Sequence, residues 1–233
     1  MTVGTSVFVL YKATTERHAH AYAEVRAEIP FVNFVEEEHF KQDLLSLLPD
    51  DGFVTFFVDD QIFVRPWDVN KAQHGLSLRL APHLTKCYPT NNLQRHPLLF
   101  QGSQTESLSW WWMSGEGDWG YPLSLDGHVF DAVFIRELVK QVDFNSPNTL
   151  ESALQRFVPM FRHMQGECYS ESRVVNVPRN RVQTDYDNRH GGGSPDDLLE
   201  MWENGKQICI SELNELLNES CHQEFPLVLE TRS

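Results

Sequence analysis

The sequence predicts an α/β domain, and three observations carry that reading. Short β-branched and aromatic runs alternate with a helical stretch over the first 64 residues. The connections are short and closed by turn residues, most clearly Pro49-Asp50-Asp51-Gly52. A chain of 233 residues is long enough to fill one layered core, and its 41% hydrophobic and 22% charged composition is that of a globular protein.

The elements follow in order. Residues 6–11 (SVFVLY) read as a buried strand, 15–27 as a polar helix or an irregular connection, and 31–35 (FVNFV) as a second strand. In EEEHFKQDLLSLL, Phe40, Leu44, Leu47 and Leu48 fall at helical spacing, with acids at the front where the helix dipole favours them. A third strand, FVTFFV, then runs into Asp59-Asp60 before a further apolar run, Ile62-Phe63-Val64. Residues 75–80 (GLSLRL) are strand-like and 86–97 read as loop. Residues 130–142 read as a strand end entering a helix, and Leu150, Ala153, Leu154 and Phe157 mark one face of another. VVNVP is a late strand, and Ser194-Pro195-Asp196-Asp197 starts a helix that Gly205 ends. SELNELL reads as a final short helix, and RHGGGS (189–194) as the flexible spot.

A formal net charge of −14 argues against nucleic acid as a partner, because phosphate binding needs a basic surface. The four cysteines, Cys87, Cys168, Cys209 and Cys221, are widely spaced and read as packed, reduced thiols of a cytoplasmic protein. No apolar run has the length of a secretory leader or of a membrane span.

Asp59-Asp60 is the focal feature. Aspartate is a poor strand residue and costly to bury, so two of them between apolar runs need a reason. In an α/β sheet, ligands sit at the carboxyl ends of strands, and a carboxylate pair there suits Mg²⁺ or Mn²⁺ with positions left for phosphate oxygens. A turn cap beside a solvated surface acid is the plainer alternative.

The order of helix FKQDLLSLL, turn, strand ending in VDD and then IFVRP resembles GT-A fold glycosyltransferases, specifically a bacterial family-2-like group. LSLRLAPHLTKCY is similar to the strand after that family's metal motif. WGYPLSLDGHVFDAVFIREL is similar to its acceptor-side segment, FNSPNTLESAL to its acidic motif at a helix start, and NVPRNRVQ to the strand beyond. The resemblance covers roughly residues 31 to 215. It implies one domain over 1–233, with a mixed central sheet flanked by helices. Residues 1–70 would form its nucleotide- and metal-side half and 71–233 its acceptor-side half.

It further implies transfer of a sugar from a nucleotide-sugar donor to a carbohydrate or other hydroxyl acceptor, assisted by Mn²⁺ or Mg²⁺. Asp59 and Asp60 would hold the metal, and Glu151 would deprotonate the acceptor. Asp126 would stand beside the reacting sugar or in the metal shell. Trp112, Trp119, Asp118 and His128 would contact substrate, with His190 a further candidate metal ligand.

Each residue also has a plainer reading. Glu151 follows Asn148 by three and could close a helix cap; Asp126-Gly127 is a good turn pair. His128 could be structural, and Trp110, Trp111, Trp112 and Trp119 could pack beneath a long loop rather than line a cleft. The acid pair lies nearer the start than in a complete domain of this family, which implies that the first βα unit is lacking. A sheet edge left open in that way would need cover, for which a second copy is suited. Two other functions fit part of the pattern. One is a non-catalytic module binding carbohydrate or protein through the tryptophan-rich face; the other is metal-dependent phosphoryl transfer.

Overall fold

The structure, a computed structural model, describes residues 5–179 and 193–232. The chain opens with β1 (Phe8–Tyr11), α1 (Glu16–Glu28), β2 (Asn33–Glu36) and α2 (Phe40–Leu47), followed by β3 (Phe53–Thr55) and β4 (Gln61–Phe63). An irregular middle carries β5 (Leu76–Ser77), the hairpin strands β6 (Lys86–Cys87) and β7 (Asn92–Leu93), then β8 (Phe100–Gln101) and β9 (Ser107–Trp111). Next come β10 (Val129–Asp131), α3 (Ala132–Lys140), α4 (Pro147–Leu154), β11 (Gln165–Tyr169) and β12 (Val174–Asn176). α5 (Pro195–Glu203), β13 (Lys206–Ile208) and β14 (Leu229–Thr231) close it.

The helix starts are written in the sequence. Thr15 caps α1 by accepting from the His18 amide, and Asp131 caps α3 by accepting from the Phe134 amide at 2.8 Å. Ser146 and Thr149 form a reciprocal capping box on α4, with Pro147 in its first turn. On α5, Ser194 accepts from the Asp196 amide at 3.1 Å and Pro195 sits in the first turn. The final SELNELL helix is reduced to a short 3-10 turn, Ile210–Leu213.

The fold is mixed α/β, but the single central sheet expected from the sequence is not what forms. Among the described residues the strands make six small sheets. The largest, β5-β11-β9-β8, is mixed: β11 runs parallel to β5 and antiparallel to β9. β1 and β2 pair in parallel across α1, so a strand–helix–strand unit does stand ahead of the acid pair. β3 pairs antiparallel with β10 and β4 with β12, so the acid-bearing segment is held by strands from much later in the chain.

The main core lies between α2, α3, α4 and the β9 region, and the tryptophans are at its centre. Trp110 meets Trp112 and Trp119 edge to face, at centroid distances of 4.7 and 4.9 Å. The Trp110 indole N–H donates to the Trp119 carbonyl at 3.1 Å. This packing requires Gly166, because a Cβ there would lie 2.5 Å from the Trp110 ring. All four cysteines are free and buried. Among the described residues no helix is long and apolar enough to cross a membrane.

Candidate functional site

Asp59 and Asp60 occupy the turn between β3 and β4 rather than the end of a long strand. Regular pairing of β3 stops at Thr55, although Phe56 still accepts from the Gly127 amide at 2.8 Å. The turn is closed by the Gln61 amide on the Val58 carbonyl (3.2 Å), and the Gln61 side chain accepts from the Val58 amide (3.0 Å). Asp59 is exposed, whereas Asp60 is half-buried and faces the interior.

Asn176, 1% exposed at the end of β12, fixes Asp60 in place. Its side-chain amide donates to Asp60 Oδ1 at 3.0 Å and accepts from Gln61 Nε2 at 3.2 Å. The Asp60 carbonyl accepts from the Val177 amide at 2.8 Å. Burial, and then the negative charge of Asp126, push the Asp60 carboxyl up to about 6.

Asp126 arrives from a different segment, on the bend before β10. Gly127 makes that bend with φ +74°, a conformation that L side chains rarely adopt, and Val174 stands 3.0 Å from where a Cβ would be. Asp126 Oδ2 pairs with Arg79 Nη1 at 3.2 Å and with His222 Nε2 at 3.4 Å. Burial works to raise this carboxyl, but the His222 hydrogen bond and the Arg79 guanidinium outweigh it and hold it below the usual aspartate range.

Arg79 is the buried cation around which the acids collect. Its side chain is 2% exposed and also faces Asp118 Oδ1 at 3.7 Å. Burial opposes its charge, but the surrounding anionic groups, Asp126, Asp118 and Glu151 among them, prevail, so Arg79 stays protonated. Glu151 does not close the α4 cap; it reaches away and accepts from the Leu125 amide at 3.0 Å. Burial and the charge of Asp126 push Glu151 up to about 7, against the opposing pull of Arg79.

Asp60, Asp126 and Glu151 are thus brought into one electrostatic neighbourhood. The other expected contacts are elsewhere. Trp112 (5% exposed) and Trp119 (0%) are packed in the core, and of this cluster Trp111 alone reaches solvent, at 41%. Asp118 is buried, accepting from Gln94 Nε2 at 3.0 Å and facing Arg79. His128 is buried beside Trp112, its Nδ1 3.3 Å from the Pro122 carbonyl. Burial and Arg79 push its pKa down to about 3, so it is a neutral core histidine. His190 lies outside the described residues.

Sequence reasoning missed Arg79, Asn176 and His222. The first two sit in strand-like runs that signal only packing. His222 carries no local pattern.

Among the described residues no three His, Cys, Asp or Glu side chains are gathered closely enough to hold an ion unaided. The donor set fits a hard cation in a more limited sense. Carboxylates outnumber the single guanidinium beside them, and two carboxylates with water and phosphate oxygens make an ordinary Mg²⁺ shell.

No protein-family model matches the chain, and no solved structure matches it. A bifunctional glycosyltransferase, pgtA of Dictyostelium discoideum, is 26% identical to it over 217 residues. That alignment covers 78% of this chain and 28% of pgtA, so the chain spans little more than a quarter of the relative.

Proposed function

We propose that the chain is a glycosyltransferase with a GT-A-like domain, moving a sugar from a nucleotide-sugar donor to an acceptor hydroxyl with Mg²⁺ or Mn²⁺. The observation that carries this reading is the gathering of Asp60 and Glu151, from separate segments, about Asp126 and its partner Arg79. The similarity to a protein named as a glycosyltransferase supports it.

In this reading Asp60 and Asp126 hold the metal, with Asp59 on the solvent side of the same turn. The ion, when bound, neutralises charge on the departing nucleoside diphosphate. Glu151, with its pKa near 7, is poised to accept a proton from the acceptor hydroxyl at neutral pH. Asn176 and Arg79 orient the two metal-binding carboxylates and keep them from swinging away. His222 supports Asp126 from its other side.

Calorimetric titration with a panel of nucleoside diphosphates, with and without Mn²⁺, tests the reading. The expected result is binding that needs the metal and weakens at least tenfold, about 1.4 kcal/mol, in Asp60→Ala. Failure to bind any nucleoside diphosphate in the presence of Mn²⁺ overturns it.

A further inference from the structure

A pocket of about 330 Å³ opens between the β6–β7 hairpin and the segment from Glu219 to Glu224. Its size is at the small end of the range for small-molecule sites, roughly 300 to 1,000 Å³. It shares one wall with the acidic site. His222, which pairs with Asp126 on one side, lines this pocket and lies 6.3 Å from the Tyr88 ring in a near-parallel stack at 24°.

The walls are fixed independently of any ligand. The Thr85 and Lys86 amides both donate to the Glu219 carbonyl, at 2.9 and 3.0 Å, and the Tyr88 amide donates to Ser220 Oγ at 3.2 Å. The His222 segment is stitched to β12 on both sides: Asn176 donates to the Cys221 carbonyl and Gln223 to the Asn176 carbonyl, each at 2.9 Å. A ligand seated here is therefore held in fixed register with the strand that positions Asp60.

The lining chemistry selects the ligand class. Asn91, Asn92 and Gln223 supply amides, Tyr88 a ring whose hydroxyl donates to Glu224 at 2.7 Å, and Leu93 an exposed apolar surface. Two carboxylates, Glu219 and Glu224, line it beside a single cation, Lys86, which is already paired with Glu219. A diphosphate would be repelled, whereas a neutral ring with several hydroxyls would find acceptors, donors and an apolar face.

We infer that this pocket binds the pyranose ring of the acceptor sugar and presents it to the acidic site past His222. The assignment rests on the glycosyl-transfer reading for the word acceptor, but the binding of a neutral sugar can be tested without it. The probe is a panel of methyl glycopyranosides of glucose, galactose, mannose, fucose and N-acetylglucosamine. They are followed by saturation-transfer NMR on the full chain, with and without Mn²⁺ and a nucleoside diphosphate.

The expected result is transfer to at least one pyranoside that is lost in Asn92→Trp and Tyr88→Ala and retained in Asp60→Ala. Asn92 is exposed on the hairpin, so its tryptophan variant fills the pocket without disturbing the core and decides the matter if Tyr88→Ala misfolds. No transfer to any pyranoside overturns the inference, as does transfer unchanged in Asn92→Trp. The two proposals fail separately. Sugar binding with this variant pattern but without metal-dependent nucleotide binding leaves the pocket standing and removes the donor. Nucleotide binding without sugar binding does the reverse.

Discussion

Glu151→Gln gives the sharpest test of the acidic site, because the variant keeps the side chain's shape and its acceptor for the Leu125 amide while deleting the charge. The Glu151 carboxyl is raised from 4.5 to about 7 in the folded protein, by burial and then by Asp126. Between those two values the folded state holds a proton that the unfolded chain has released. Its stabilising effect is complete below the lower value and is lost as pH rises through the upper one. The full difference corresponds to about 3 kcal/mol, of which about 2 to 3 falls between pH 5 and pH 8. In a domain of this size that is about 5 to 10 °C in Tm. Thermal unfolding followed by circular dichroism in EDTA should therefore show wild type losing stability from pH 5 to pH 8. Glu151→Gln should lose less by about that amount, with Asp60, raised to about 6, accounting for part of what remains. Wild-type and variant Tm values that run parallel across this range would refute the argument, because Glu151 would then not be held protonated by its surroundings.

Arg79→Met should cost about 3–5 kcal/mol in urea unfolding at pH 7, since it strands buried carboxylates that lose their cation. Adding Asp126→Asn to that variant should recover part of the loss; a double variant weaker than the single would count against the pairing. Trp119→Ala should cost about 3–5 kcal/mol because the indole is fully buried. Below its melting temperature, however, it should keep the metal-dependent nucleotide binding that Asp60→Ala is expected to weaken. Loss of that binding with the fold intact would return Trp119 to the ligand site.

Local signals in the sequence recorded the helices well, since the Thr15, Asp131, Ser146 and Ser194 caps each act within a single turn of chain. The acids of the site were visible as residue types, but their relation was not, because it depends on Arg79. In GLSLRL the alternation of Leu with Ser and Arg reads as one buried and one solvated face. The fold buries both: Ser77 is 0% and Arg79 2% exposed. Placing a charge there is tolerable only because Asp118 and Asp126 come from elsewhere to meet it. The tryptophans misled for a related reason. Glycine beside aromatics suggests an open loop, whereas Gly115 is packed so closely that a Cβ there would lie 2.1 Å from the Trp119 carbonyl oxygen.

Asn176 ties the acid turn to the far end of the chain. Its side chain holds Asp60, and its main chain is clamped by Cys221 and Gln223. Asp60 thus gains its position only when segments more than a hundred residues downstream have docked. Such distant pairings form slowly and late. Cys221 also packs in the core around the tryptophans, so docking of this segment completes the core and fixes the acid turn together. Core packing and the position of Asp60 are therefore linked through one segment, and a change at Cys221 should register in both.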